Sequence, residues 1–547
     1  MNILIKGSMF KGLLGVLPES EVCLLRESHC WGVSENEKVR VDISEFSEAA
    51  LDAFCIFLEG LSVNDRSAKL SLGQVRQWID IRSDPSGMKV TKLENLPSAL
   101  KKYLEDNAPH RYLFCQLGDG NAVPYFVSAI NYADATKQSP AHVNIALISI
   151  CPAMGKVFSG EGSSRRGNEG LTLYHADMAG KPLSRILSDK GWYVETSERV
   201  ESYDREMEKY VSFRGRIGLQ MSVSGKASSR SSGWHRSDFS VVERAGCAAK
   251  MVIDDEPGES SSTRTEASFW EKKKDLDERE TMVWTVPVHP YLYMFDLEEH
   301  GFYAVHVDNT EPYVYDAHVG DKLVLPTDVK ELLGILIEHT NSSFKDIVEG
   351  KAGGAVVLCQ GLAGTGKTLT AEVYSEVMNR PLYRVQSHQL GLNAEKVEEK
   401  LQEVLGRAER WGAILLLDEA DVYVRARGDD LEQNAIVGVF LRVLEYYKGV
   451  LFMTTNRGTE LDDAIISRVT ARISYENPGK EDSRKIWEIL SAQNDIHMSK
   501  MDIDHLVEEL FISGRDIKNL LKLAKMVATR KGVSVTESLI KKLYKFR

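Results

Sequence analysis

Eight consecutive residues, Gly361-Leu362-Ala363-Gly364-Thr365-Gly366-Lys367-Thr368, combine glycines, a lysine and a hydroxyl in the spacing G-x-x-x-x-G-K-[ST]. Glycines allow the tight turns that aim successive backbone N–H groups at phosphate oxygens, and a helix starting there adds the positive end of its dipole. Lys367 would put a point charge on the β- and γ-phosphates, and Thr368 would offer a hydroxyl to Mg2+. All eight residues are candidate nucleotide-binding residues. Further along, Ile414-Leu-Leu-Leu-Asp418-Glu419 is an apolar run ending in two acids. A carboxylate at such a strand tip can hold the shell of Mg2+ through water, which assigns Asp418 to the metal with Thr368. Glu419 would face an attacking water as general base. Acids alone would only decorate a helix start; beside a phosphate loop they complete a site for phosphoanhydride chemistry.

These residues need a particular scaffold. Ala355 to Gln360 (AVVLCQ) reads as a buried central strand feeding the glycine loop. Leu369, Val373 and Val377 share one face of a helix that stops before Pro381. A third apolar strand, Val450-Leu-Phe-Met-Thr-Thr-Asn456, ends in an amide. From Pro326 onward, strands alternate with helices, the pattern of a parallel α/β sheet. The letters DEAD at 418–421 suggest a helicase, but that would require a second nucleotide-binding domain, and only 126 residues follow Asp421.

The order of phosphate loop, Asp-Glu and strand-tip Asn resembles the AAA+ superfamily. The resemblance covers about residues 327–547 and looks closest to a largely uncharacterised group of bacterial and fungal AAA-type ATPases. The runs 440–447 and 451–457 carry that closer likeness, and 286–307 extends it more weakly upstream. It implies a P-loop NTPase core, a parallel sheet between helices at 327–478, with a C-terminal helical lid at 479–547. It implies ATP and Mg2+ as cofactors, hydrolysis of ATP, and a homo-oligomeric, hexameric ring. Asn456 would orient the attacking water. Arg468, in Leu461-Asp-Asp-Ala-Ile-Ile-Ser-Arg468, would be an arginine finger, with Arg457 and Arg472 as auxiliaries or salt-bridging residues. Ser513-Gly-Arg515-Asp516 matches the start of the lid helix from which Arg515 would reach the γ-phosphate; a capping role for Ser513 and Asp516 is equally readable.

Two departures from the family pattern stand out. Leu362-Ala363 replaces two common prolines, which backbone-mediated phosphate binding should tolerate. Substrate-threading relatives place an aromatic–hydrophobic–Gly loop after the second strand, but here the segment is Ser387-His-Gln-Leu-Gly-Leu-Asn-Ala394. Leu390 and Leu392 are its only large apolar residues, which argues against threading.

Upstream, three polar stretches read as loops or linkers: Ser159–Gly170, Ser222–Ser237 and Asp254–Ala267. Residues 142–150 alternate like a strand, 96–106 have helical spacing, and 200–218 look helical. The expected division is an α+β partner-recognition region at 1–200 and a β-rich domain at 201–326. In the latter, MVWTVPVHPYLYMFDL and FYAVHVDN flank a turn at 298–301. Its four histidines (His289, His300, His306, His318) lack tight metal-ligand spacing and read as strand and turn residues.

The 547 residues carry a net charge of −12, with 43% hydrophobic and 27% charged residues. That acidity argues against a general nucleic-acid binder. Seven scattered cysteines without a CxxC pair suit a reducing compartment. No run approaches 18 apolar residues, so no spanning helix is expected, and the lysine-bearing start is read as part of the N-terminal core. The expected setting is the cytoplasm. The function expected is partner remodelling driven by ATP; a slow nucleotide-dependent switch or scaffold is the alternative.

Overall fold

The computed structural model describes residues 2–546 apart from 29–37, 44–45, 63–64, 84–88, 138, 154–165, 179, 230–238, 245, 256–285, 339–353, 392–393, 428–430 and 457–460. The chain forms two compact units. One comprises Met1–Arg216 and Met221–Pro312, the other Ile217–Gln220 and Tyr313–Arg547.

The first unit opens with an antiparallel ribbon, β1 (Asn2–Lys6) and β2 (Lys38–Asp42). Helices Glu48–Ser62 and Arg66–Ser83 share with it a core that includes Ile3, Ile5, Phe54, Leu58, Val75 and Trp78. The opening residues therefore join a core, as their sequence suggested. An antiparallel sheet follows: β3 (Tyr112–Gln116), β4 (Ala122–Ala133), β5 (His142–Ile150), β6 (Arg166–Tyr174) and β7 (Trp192–Val194), ordered β6-β5-β4-β3-β7. Alternation along β5 buries Val143, Ile145 and Leu147, which pack with Leu96, Leu100 and Leu104 of helix Leu96–Asn107. Helix Ser197–Phe213 starts where the Thr196 side chain accepts from the N–H of Arg199.

A seven-stranded sheet completes this unit, with β8 (Gln220–Val223), β9 (Lys226–Ser229), β10 (Ser240–Val241), β11 (Ala249–Ile253), β12 (Tyr291–Asp296), β13 (Phe302–His306) and β14 (Thr310–Pro312). Its order is β10-β9-β13-β12-β11-β8-β14. The expected hairpin is β12–β13. Asp296 closes its turn by accepting from the N–H groups of Glu298 and Glu299, and His300 takes a left-handed φ of 56°. The part of that run at 282–285 lies outside the described residues. His289 and His306 are buried.

Two of the expected loops are corrected. Residues 166–170 belong to β6, paired with β5 from Arg166↔Ile150 to Tyr174↔His142. Residues 222–229 form the end of β8 and all of β9, joined through Ser224 and Gly225, the latter with φ 84°. Backbone ladders need no apolar side chains, so a polar, Gly-rich composition did not prevent pairing. Positions 159–165, 230–237 and 256–267 of the polar stretches lie outside the described residues.

In the second unit, β15 (Ala355–Gly361), β16 (Leu382–Gln386), β17 (Ile414–Asp418), β18 (Val450–Thr455) and β19 (Ala471–Tyr475) form a sheet ordered β16-β17-β18-β15-β19. Every pairing in it is parallel. Helices Thr327–Glu338 and Lys367–Val377 cover one face, through Leu333, Ile337, Ala371, Val373 and Tyr374 against Val357, Cys359, Leu416 and Phe452. Helices Ala394–Trp411 and Leu431–Leu444 also bury their apolar stripes. Burial on both faces explains why these strands read as unbroken apolar runs. Four helices, Lys480–Gln493, Lys500–Glu509, Gly514–Lys531 and Glu537–Tyr544, close around Trp487, Leu506, Ile517, Leu520, Leu521 and Ile540. These four helices span 480–544.

Candidate active site

The carboxyl ends of β15, β17 and β18 converge, because parallel pairing with matched register stacks their tips. Gln360 lies opposite Thr455 and Leu417 opposite Met453. The loop leaving β15 takes left-handed backbone at Gly361 (φ 146°), Gly364 (φ 84°) and Gly366 (φ 103°). At Gly361 a Cβ would stand 2.0 Å from the carbonyl oxygen of Tyr475 on β19. At Gly364 it would stand 2.8 Å from both the Arg515 Cβ and the Ser513 Oγ. Glycine is thus required at these turns both by conformation and by space. Gly366 is the N-cap of helix Lys367–Val377, so the loop ends on a helix N-terminus.

Lys367 folds back over the loop. Its Nζ donates to the carbonyls of Gly361 (2.7 Å) and Leu362 (2.6 Å) and to Asn456 Oδ1 (2.9 Å). Burial, and then the nearby positive charge of Arg515, push its ammonium below the ordinary lysine value. Arg515 enters from the helical subdomain, its N–H donating to the Gly364 carbonyl at 3.2 Å. Its helix also carries the full capping box of Ser513 and Asp516. The two readings of Ser513–Asp516 are therefore compatible: the cap fixes the helix start, and the start sits on the loop.

Asp418 is gripped from three sides. Its Oδ1 accepts from Thr368 (3.0 Å) and Thr454 (2.6 Å), and its Oδ2 pairs with Arg384. Burial would raise its carboxyl, but the Thr454 hydrogen bond, the Arg384 charge and the Thr368 hydrogen bond together hold it below the ordinary aspartate value. Glu419 is exposed and adopts φ 56°, a left-handed conformation costly for a non-glycine residue. Thr454 Oγ1 accepts from its N–H at 3.0 Å, and Ser387 Oγ donates to its carbonyl. Asp421 accepts from Thr455 Oγ1 and from the N–H of Asn456 (3.2 Å), which fixes the strand tip that carries the amide.

Gly361–Thr368, Asp418, Glu419, Asn456 and Arg515 are therefore assembled around one loop. Arg468 is not among them. It is exposed, donates to the Ala464 carbonyl at 3.2 Å and lies 3.7 Å from Glu445. Asp462, which caps the short helix Asp463–Ile466, pairs with Arg427 instead. Arg472 Nε donates to Gln360 Oε1 at 2.8 Å, one strand from the loop. Arg457 lies outside the described residues.

Residues 387–391 lie where the sequence pattern argued against threading. Ser387–Leu390 is a helical turn closed by a Gln386–Gln389 capping box, and Leu390 is buried, so it offers no exposed grip. Leu392 lies outside the described residues. Arg384 and Thr454 were missed by sequence reasoning. The one available signal was polarity: Thr454 interrupts an apolar central strand, and Arg384 falls on the outward side of β16.

The donor set suits a nucleotide and its metal. Lys367, with the charge of Arg515 nearby, lies at a glycine cradle that ends on a helix N-terminus, and a hydroxyl and a carboxylate meet beside it. Residues 357–477 match the family described as ATPase family associated with various cellular activities (AAA). An ATP-dependent zinc metalloprotease FtsH of Ureaplasma parvum is 27% identical over 217 residues, 37% of this chain and 30% of that protein. A putative 26S proteasome regulatory subunit homolog of Methanothermobacter marburgensis is 30% identical over 186 residues, 31% of this chain and 48% of that protein. An uncharacterized AAA family ATPase of Sinorhizobium fredii is 28% identical over 182 residues, 31% and 53% of the two chains. The matches thus span about half or less of the relatives' own length. Loop, strand tips and family match agree: residues 357–477 form an AAA-type ATPase domain.

Proposed function

We propose that this ATPase works as a ring-forming, cytoplasmic machine that remodels a protein partner or assembly. The observation that carries the nucleotide part is Lys367. Among the described residues its ammonium donates to three neutral oxygens, beside a second cation and at a helix N-terminus, an arrangement that favours a polyanion. In this reading the N–H groups of Gly361–Thr368 and Lys367 bind the phosphates of ATP. Thr368 and Asp418 would hold Mg2+, which would supply neutralising positive charge when bound. Glu419 takes the proton of the attacking water, Asn456 orients that water, and Arg515 contacts the γ-phosphate from the lid. Catalysis is then positioning and charge stabilisation.

Several features support the wider role. The relatives include proteins named as a protease and a proteasome regulatory subunit. Residues 1–200 and 201–326 would recognise a protein partner, with 327–478 and 479–547 as the motor. The acidic net charge disfavours nucleic acid, and no helix among the described residues is long and apolar enough to cross a membrane. Buried Leu390, in a segment without aromatics, favours a second reading: a slow nucleotide-dependent switch or scaffold that does not thread polypeptide.

The test is a pair of substitutions. Lys367→Ala should abolish tight ATP binding with the fold retained. Glu419→Gln should bind ATP yet lose turnover by about 10²-fold or more. Unchanged affinity in the first, or wild-type turnover in the second, would overturn the site. Turnover that stays slow when a co-purifying partner is added favours the switch.

A further inference from the structure

Both carboxylate oxygens of Asp418 already accept hydrogen bonds. Oδ1 is shared by two hydroxyls, and Oδ2 accepts from Arg384 Nη2. Magnesium keeps several of its waters and is commonly met by a carboxylate through them. A metal-bound water reaching Asp418 would therefore share an oxygen that a guanidinium holds, and the guanidinium itself repels the cation. The two partners differ in freedom. The Asp418 side chain is 11% exposed and fixed by two threonines, whereas Arg384 is 44% exposed on edge strand β16. A second carboxylate already lies within ion-pair reach of the arginine: Glu372 Oε1, on the helix that begins at Lys367, is 3.9 Å from Arg384 Nη1.

We infer that Arg384 is a positioning residue that sets the magnesium requirement of the site: it holds Asp418 Oδ2 without metal and passes to Glu372 when metal binds. Arg384 makes no claim on the reacting atoms; it acts through Asp418. The inference rests on the reading of Thr368 and Asp418 as the magnesium seat. It makes the occupancy of one carboxylate oxygen depend on which of two acids holds a mobile cation. Glu372 should then matter only while Arg384 is present.

The experiment is a Mg2+ titration of the binding of a fluorescent, non-hydrolysable ATP analogue to the full chain, so that turnover plays no part in the readout. Arg384→Gln should lower the Mg2+ concentration for half-maximal binding by about 3- to 10-fold. Arg384→Lys keeps the charge without the fork and should fall between. Glu372→Gln should raise the requirement, and in the double variant that increase should vanish. An unchanged or higher requirement in Arg384→Gln, with thermal unfolding showing a folded protein, overturns the inference and leaves Arg384 as a structural ion pair. So does a Glu372→Gln effect that persists without Arg384. Failure of the underlying reading looks different: wild-type binding would be indifferent to Mg2+, or insensitive to Lys367→Ala, and the inference would fall with it.

Discussion

At the scale of residues, Thr454 links the two acids of the site. One hydroxyl donates to Asp418 Oδ1 and accepts from the N–H of Glu419, so the Asp418 carboxylate and the Glu419 backbone share a buried anchor. The same hydroxyl helps hold Glu419 in its left-handed backbone. Thr454→Val keeps the shape and removes both bonds. We expect a loss of about 1–3 kcal/mol in stability, since Asp418 and the Glu419 N–H are left short of a partner. Turnover should fall while ATP binding through Lys367 persists. Chemical denaturation together with steady-state hydrolysis checks this. A variant that is destabilised but hydrolyses at the wild-type rate would separate the hydrogen bonds from the chemistry.

At the scale of elements, the junction of β15 with its loop tolerates no side chain. Gly361→Ala would drive a Cβ into the Tyr475 carbonyl of the neighbouring strand at 2.0 Å, at a φ of 146°. A cost of at least about 2–3 kcal/mol is expected, with loss of ATP binding. Gly406, inside helix Ala394–Trp411, is the opposite case: nothing lies within 4 Å of its would-be Cβ. Gly406→Ala should stabilise by about 0.5–1 kcal/mol. Denaturation midpoints of the two variants should therefore move in opposite directions. In the other unit, His289 leads into β12, with burial pushing its imidazole down to about 4 and Pro124 O 3.0 Å from Nε2. Its unfolded form takes up a proton below about pH 6.5 and its folded form resists. Its contribution is therefore complete above that pH and is lost as pH falls towards 4. The unfolding midpoint of this unit should drop across that window, and His289→Phe should flatten the dependence.

At the scale of the whole molecule, Arg468 is a described candidate that stands apart from the rest of the site. Its contacts are an Ala464 carbonyl and a loose pairing with Glu445, worth under about 1 kcal/mol. If a neighbouring subunit supplies its γ-phosphate, the guanidinium contributes roughly 10³–10⁵-fold to turnover. Arg468→Ala subunits keep an intact phosphate loop, and Lys367→Ala subunits keep an intact arginine. Each alone should be nearly inactive. Mixed assemblies should regain hydrolysis wherever the two intact parts meet. Mixtures that co-assemble yet stay inactive would argue against action in trans, and full activity of Arg468→Ala alone would end the assignment.

What the sequence by itself determined was local. The glycines of 361–366 carry their own φ requirements, the helix after them brings its own dipole, and an apolar run ending in acids announces a strand tip. None of these needs a distant partner to be recognised. The hairpin at 291–306 and the lid helices were legible for the same reason, since periodicity and turn residues act over a few positions. Tertiary structure alone decided what depends on register between distant strands. Arg384 reaches Asp418 because β16 pairs in parallel with β17, Gln386 opposite Asp418. Arg515 meets Gly364 because a four-helix core places its helix start there. The polar residues 166–170 became a strand only because β5 offered its edge. Leu390 turned inward because its capping box made a helical turn of an apparent loop. Side-chain type states what a residue can do locally, whereas contacts made across the chain depend on which backbone edges and helix starts the packed core brings together.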